Sequence, residues 1–200
     1  SLRGPQLLPK LAVVDPYLTI DLPREQTGYS GLDALTQLVE PFVSRFANPL
    51  SDGFCREGIP RSVRALPDAL HDGLDLAART DLALASLLSG LALANSRLGV
   101  VHGLAAPVGG LVAAPHGAVC ARLLPICWKA NVKALQRDAH PGLERFKEVS
   151  RLLAGQDSAT LDDGLAKIQE LSDLVQAPGF AHWGLQAQDI AGLCERASKA

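Results

Sequence analysis

His102 and His116 stand fourteen positions apart in the stretch Val100–Cys120, VVHGLAAPVGGLVAAPHGAVC. Gly109, Gly110 and Pro115 lie between them. Neutral imidazole is the commonest metal ligand in proteins, so two imidazoles on adjoining helices could share one ion. That would need a helix running to about Leu111, a turn over Ala113–Pro115 and a new helix near His116. Asp33 could add a carboxylate, and two imidazoles with one carboxylate suit Fe(II), Zn(II), Co(II) or Ni(II). Gln37, one helical turn after Asp33, could add a neutral carbonyl oxygen. Spacing alone leaves a plainer alternative for each residue. The histidines could be hydrogen-bonded core residues of a Gly/Ala-rich hairpin. Asp33 could be a helix N-terminal acid favoured by the dipole, and Gln37 a solvated helix position.

Cys120 follows His116 by four residues and could face it on one helical turn. A Cys–His nucleophile is the other chemistry this pair suggests, but the cysteine sits among apolar residues, where thiols are usually inert. Nucleotide binding by this chain is rejected on motifs. Gly99–Gly110 is rich in glycine, yet no GxGxxG follows a strand and no GxxxxGK[ST] occurs. His71, His140 and His182 lie beside turn residues and are expected in solvent.

The elements that must position these residues read as helices. Hydrophobic residues make up 48% of the chain and charged ones 20%, which argues against disorder. Aromatics are only 4%, and the apolar mass is Leu, Ala and Val, which favours close helix packing over a β-sandwich. From about Ser30, Leu32, Leu35, Val39, Phe42 and Phe46 keep the spacing of one helix face, with a kink expected at Pro41. Ser51 or Asp52 can cap the next helix, which Pro60 should interrupt or kink before Pro67 begins another short piece. Within a helix from Leu76 to Arg97, the middle is apolar on nearly every side, so Leu82–Ala94 is expected at the centre of the domain. Ala118–Ala134, Leu143–Leu153, Leu161–Val175 and Ala187–Ser198 read as further helices, with Thr160 an N-cap answered by Asp163. Leu11–Val14 reads as one short strand with no partner, and Asp15–Gln26 as a loop. The expectation is an all-α domain of about seven to nine helices.

A formal net charge of -2 gives no electrostatic reason to expect nucleic acid or an acidic membrane as partner. The strongly apolar run Leu82–Ala94 is too short to cross a bilayer. The opening SLRGPQLLPK lacks the basic-then-apolar order of a signal peptide. Cys55, Cys120, Cys127 and Cys194 form no CxxC pair, which reads as reduced thiols in a cytoplasmic protein.

Five segments carry a family resemblance: LAVVDPYLTIDLP (Leu11–Pro23), GLDALTQLVEPFVS (Gly31–Ser44), NPLSD (Asn48–Asp52), GVVHGLAAPVGG (Gly99–Gly110) and PHGAVCARLLP (Pro115–Pro125). In order and spacing they resemble the C-terminal helical domain of the iron-containing alcohol dehydrogenases. The resemblance implies a dehydroquinate synthase-like C-terminal domain over residues 27–200, preceded by an interdomain strand and linker over 1–26. It implies that the family's Rossmann-like half, which holds NAD(P), is absent from this chain. It also implies a metal, Fe(II) or Zn(II), held at the positions of Asp33, Gln37, His102 and His116. Gln37 stands where the family usually has histidine, and Ala106 replaces a family histidine near the nicotinamide. The implied substrates are primary alcohols or aldehydes, with a homodimer left open. A metal-free reductase of the same fold and a non-catalytic helical interaction module are the alternatives.

Overall fold

The computed structural model describes Gln6 and residues 9–198. Residues 1–5 and 7–8 of the expected linker, and residues 199–200, lie outside the described residues. Eight α-helices and no strand occur among the described residues, so the domain is all-α.

Leu11–Val14 does not form the expected strand. It is exposed coil, with Leu11 at 80% and Val13 at 83% exposure. No described strand offers it a ladder, and an unpaired strand has nowhere to place its backbone hydrogen bonds. A 3-10 turn, Pro16–Thr19, follows and is capped by the Asp15 side chain on Tyr17 N–H.

Helix α1, Arg24–Phe42, begins earlier than its apolar spacing suggests, because its first turns bury Thr27, Gly28 and Tyr29 rather than a leucine row. Arg79 reaches from the next-but-one helix to donate to Thr27 Oγ1 and Leu22 O, tying this start down. Leu32, Leu35, Leu38 and Phe42 are fully buried. Pro41 falls in the last turn and ends the helix, so Phe46 lies beyond it and is half-exposed.

Helix α2, Pro49–His71, is capped by Asn48 rather than by Ser51 or Asp52. Ser51 instead reciprocates as the third helical residue, accepting the Asn48 N–H. The helix runs unbroken through Pro60 and Pro67, against expectation. Arg56 and Val63, four residues before each proline, are exposed and half-exposed, so the carbonyls left without an N–H partner can be solvated. Meanwhile Cys55, Ile59, Leu66 and Leu70 hold the other face in the core.

Helix α3, Leu76–Ser96, is capped by Asp75 and packs along α1 and α2. It is not the central element the apolar run suggested, since Ser86, Gly90 and Leu91 are exposed. That position belongs to α1, which packs on α2, α3 and α5 as well as more lightly on α4, α6 and α7. At 21 residues, α3 is longer than the run Leu82–Ala94 and is long and apolar enough to cross a membrane by length and composition.

Helix α4, Val100–Gly109, stops two residues short of Leu111, and α5, His116–Arg137, starts at the second histidine. Helix α6, Leu143–Ala154, closes on Gly155 in the left-handed conformation. Helix α7, Leu161–Val175, carries the expected Thr160–Asp163 capping box. In the segment 177–184 a 3-10 turn, Phe180–Trp183, brings two aromatic rings against the core. The last helix is shorter than expected: Ala187–Asp189 is a 3-10 turn and α8 covers Ile190–Ala197.

Candidate metal centre

Helix periodicity places Asp33, Gln37 and Glu40 on one side of α1, at intervals of four and three residues. His102 projects from the first turn of α4. His116 and Cys120, four apart, share one side at the start of α5. Two close backbone approaches make the convergence possible. A Cβ on Gly117 would lie 2.2 Å from the Tyr29 carbonyl oxygen, so only glycine lets the start of α5 press on α1. A Cβ on Gly99 would lie 2.8 Å from Glu40 Oε1, so a larger residue there would push the carboxylate from its place under the N-terminus of α4.

The side chains meet at one point. Asp33 Oδ1 lies 3.1 Å from His102 Nε2 and 3.6 Å from His116 Nε2. Cys120 Sγ lies 3.9 Å from His102 Nε2 and 3.7 Å from His116 Nε2. One ligand atom from each of these four residues is within 4.8 Å of every other. Two donors about 2.0–2.3 Å from a common ion at a tetrahedral angle stand about 3.3–3.8 Å apart. The observed separations straddle that spacing, and the donors are the N, O and S types that divalent first-row metals take. The set therefore fits a metal ion.

The surroundings fix the donors. Glu40, only 5% exposed, sits 2.7 Å from His102 Nδ1 and also accepts the Val101 N–H at 2.7 Å. With Nδ1–H committed to Glu40, the tautomer that leaves Nε2 free for a metal is favoured. Gln37 Nε2 donates to Asp33 Oδ2 at 3.2 Å, leaving Oδ1 to face the histidines. Gln37 Oε1 in turn lies 3.2 Å from the Ser89 hydroxyl. Both polar ends of Gln37 thus have protein partners.

Electrostatics in this cluster run against burial. Burial pulls the His102 imidazole down, but hydrogen bonds to Asp33, Cys120 and Glu40 outweigh it and push its pKa up to about 11. Burial alone would raise the Asp33 carboxyl, yet the hydrogen bond from His102 and the charges of His116 and His102 hold it below the usual range. Burial pushes the Cys120 thiol up to about 11, against the lowering pull of His102. A cation is what this arrangement favours, because Glu40 faces His102 Nδ1 and Asp33 faces Nε2.

The centre is closed at one end and open at the other. Cys120 is fully buried and the His102 side chain nearly so, whereas the His116 side chain is 52% exposed. Ala106, one turn after His102, is exposed and offers only a methyl group. His71, His140 and His182 are exposed as expected. A separate cavity of about 350 Å³ lies between the N-terminal segment, α1 and α3, bordered by Val14, Leu22, Arg79 and Leu82. None of the four donors lines it.

Of the four positions the resemblance implies, Asp33, His102 and His116 lie side by side here, and Gln37 touches Asp33. Sequence reasoning missed Glu40, whose signal is its place seven residues after Asp33 on the same helix. It weighed Cys120 only as a nucleophile, although its spacing from His116 correctly put the two side chains within reach.

Comparison with known proteins gives the family. The family described as "Fe-containing alcohol dehydrogenase family, C-terminal" matches residues 27–200. The chain belongs to this family. Among iron-containing alcohol dehydrogenase relatives, 1,3-propanediol dehydrogenase of Klebsiella pneumoniae is 35% identical, over 96% of this chain and 49% of its own length. Alcohol dehydrogenase 4 of Saccharomyces cerevisiae is 42% identical, over 94% of this chain and 48% of its own length. The crystal structure of a 1,3-propanediol oxidoreductase superposes on 93% of this chain and 48% of that one, with a TM-score of 0.82 and 35% identity. The chain thus spans about half the length of the curated relatives it matches.

Proposed function

We propose that this chain forms the metal- and substrate-binding domain of an NAD(P)-dependent alcohol dehydrogenase acting on primary alcohols or the corresponding aldehydes. The observation that carries the reading is the convergence of Asp33, His102 and His116 on one point, in a family named for its iron. A divalent cation bound there supplies Lewis acidity toward an alcohol or carbonyl oxygen. The protein side of that chemistry is division of labour. Asp33 contributes negative charge and the two imidazoles contribute neutral donors. Glu40 holds His102 in one tautomer, and Gln37 holds Asp33 by its outer oxygen. The exposed side of His116 is where a substrate oxygen can approach, since Cys120 and His102 close the opposite end.

NAD(P) has no glycine-rich phosphate turn to bind in this chain, so the dinucleotide is assigned to the other half of the protein. Residues up to about 26 are then the crossing between the halves, and residues 27–200 one wall of the cleft. Holding nicotinamide against substrate needs both walls.

The test uses the intact protein with a primary alcohol and NAD(P), after metal removal and reloading. The expected result is activity that disappears on chelation, returns with Zn(II) or Fe(II), and is lost in Asp33→Ala together with bound metal. Full activity in chelated protein, or in Asp33→Ala without metal, would overturn the reading and favour a metal-free reductase.

A further inference from the structure

We propose that Cys120 is the fourth ligand of this metal centre, supplying a thiolate while Gln37 is held between Asp33 and Ser89, and that the centre is tuned to zinc over ferrous iron. The inference rests on the reading of Asp33, His102 and His116 as a metal site, and it adds the donor that completes the set.

Four observations support it. Cys120 Sγ is within 3.9 Å of both imidazole Nε2 atoms, about the spacing of donors on one ion. Its side chain is fully buried at the closed end of the cluster, opposite the exposed His116 side that is left to a substrate oxygen. Gln37, the other candidate, already has its amide N–H on Asp33 and its carbonyl oxygen beside Ser89. Ligation by Gln37 would have to use the remaining lone pair of an oxygen already held by Ser89. Charge also balances: a thiolate and the Asp33 carboxylate together match a dication, while the Glu40 charge is met by the Val101 N–H and His102 Nδ1. A dication facing only one carboxylate in so enclosed a place would be less well compensated.

The chemistry of the donor follows from its softness. A thiolate selects zinc over oxygen-loving metals, and a Cys–His₂–Asp set is a combination of the kinds zinc accepts, with expansion to five-coordination leaving room for a substrate oxygen on the His116 side. On binding, the S–H proton leaves to solvent as the sulfur–metal bond forms. No electron is transferred and no oxidant is needed. Cys120 is then a ligand, which is why its pairing with His116 need not make it a nucleophile.

The test is cobalt substitution in the intact protein, followed by absorption spectroscopy, on the unaltered protein and on Cys120→Ser and Cys127→Ser. Cys127 is buried two turns along α5 and belongs to no donor cluster among the described residues. Expected is one bound Co(II) with a thiolate-to-cobalt charge-transfer band in the unaltered protein and in Cys127→Ser. The band should vanish in Cys120→Ser, with metal affinity down about a hundred-fold, the upper end of what losing a group that supports a metal costs. Co(II) bound without that band overturns Cys120 ligation and leaves the three-residue metal site standing. Failure to bind Co(II) at all overturns both. Zinc-edge X-ray absorption on the unaltered protein needs no variant. It should show one sulfur at about 2.3 Å beside nitrogen and oxygen at about 2.0–2.1 Å. A shell of nitrogen and oxygen alone overturns the proposal. Competition between Zn(II) and Fe(II) should narrow in Cys120→Ser, and an unchanged ratio overturns the zinc preference.

Discussion

Two buried polar clusters sit on α1, one at each side of its C-terminal half. At the end of the helix, Arg145 donates to the Phe42 carbonyl and the Asp52 carboxylate, and its guanidinium lies 4.4 Å from the centre of the Phe42 ring. Further back, Asp33, His102, His116 and Cys120 converge, with Glu40 behind them. In the first cluster a cation and an anion of the protein satisfy each other, and α6 is thereby pinned to α1 and α2. In the second, carboxylates outnumber fixed cations, and donor atoms of three helices point at one another. A cluster that closes on itself serves the fold. A cluster whose lone pairs converge on a point, with an open side at His116, serves a ligand.

Substitutions can break that comparison from either side. The largest expected effect is on folding. Arg145→Met leaves Asp52, 7% exposed, without its partner. Breaking a buried pair costs about 3–5 kcal/mol, here discounted to about 2–4 kcal/mol because Arg145 is a third exposed. Chemical denaturation should show that loss, while metal affinity of the folded protein stays within about three-fold. His116→Ala should do the reverse. Metal affinity should fall about a hundred-fold, and stability of the metal-free protein should move by no more than about 0.5 kcal/mol, as for other exposed substitutions. If the two variants gave the same profile, the distinction between the clusters would be lost.

Gln37→Met sharpens the comparison within the metal centre. It removes the N–H that holds Asp33 Oδ2 but keeps the side chain's length. Metal affinity measured by competition titration should fall by about ten-fold, as for loss of an outer hydrogen-bond partner. No change would mean that Asp33 is aimed by packing alone. The smallest effect belongs to a polar pair outside both clusters. Thr160→Ala removes the N-cap of α7 and should cost about 1 kcal/mol, with metal affinity unaltered. Thr160 holds the Asp163 carboxyl below its ordinary value of 3.8. That contribution is present above the ordinary value and is lost as pH falls through the lowered one. The stability gap between the two proteins should therefore narrow in acid, and a gap that widened would contradict the assignment.

The residues differ in how legible they were. The Thr160–Asp163 box and the turn before His116 could be read locally, because each is set by neighbours three or four positions away. The expected role of α3 failed for the opposite reason: an apolar run shows what a helix can bury, not how many neighbours arrive to cover it. The prolines of α2 misled because a lost hydrogen bond on the outer side of a helix is cheap when the inner side is well packed. Asp33, His102 and His116 were recognisable through the family's motifs; their spacing, spread over 83 positions, could not have placed them together. Glu40 carries no motif of its own in the sequence. Its role appears only once Gly99 lets the N-terminus of α4 settle on it.

Anomalous diffraction from crystals of the metal-loaded intact protein, collected at the metal's absorption edge, measures the central claim most directly. The account predicts one strong peak about 2.0–2.3 Å from Asp33, His102 Nε2 and His116 Nε2. Loaded protein with no peak at that point, or with its metal held elsewhere, would contradict it.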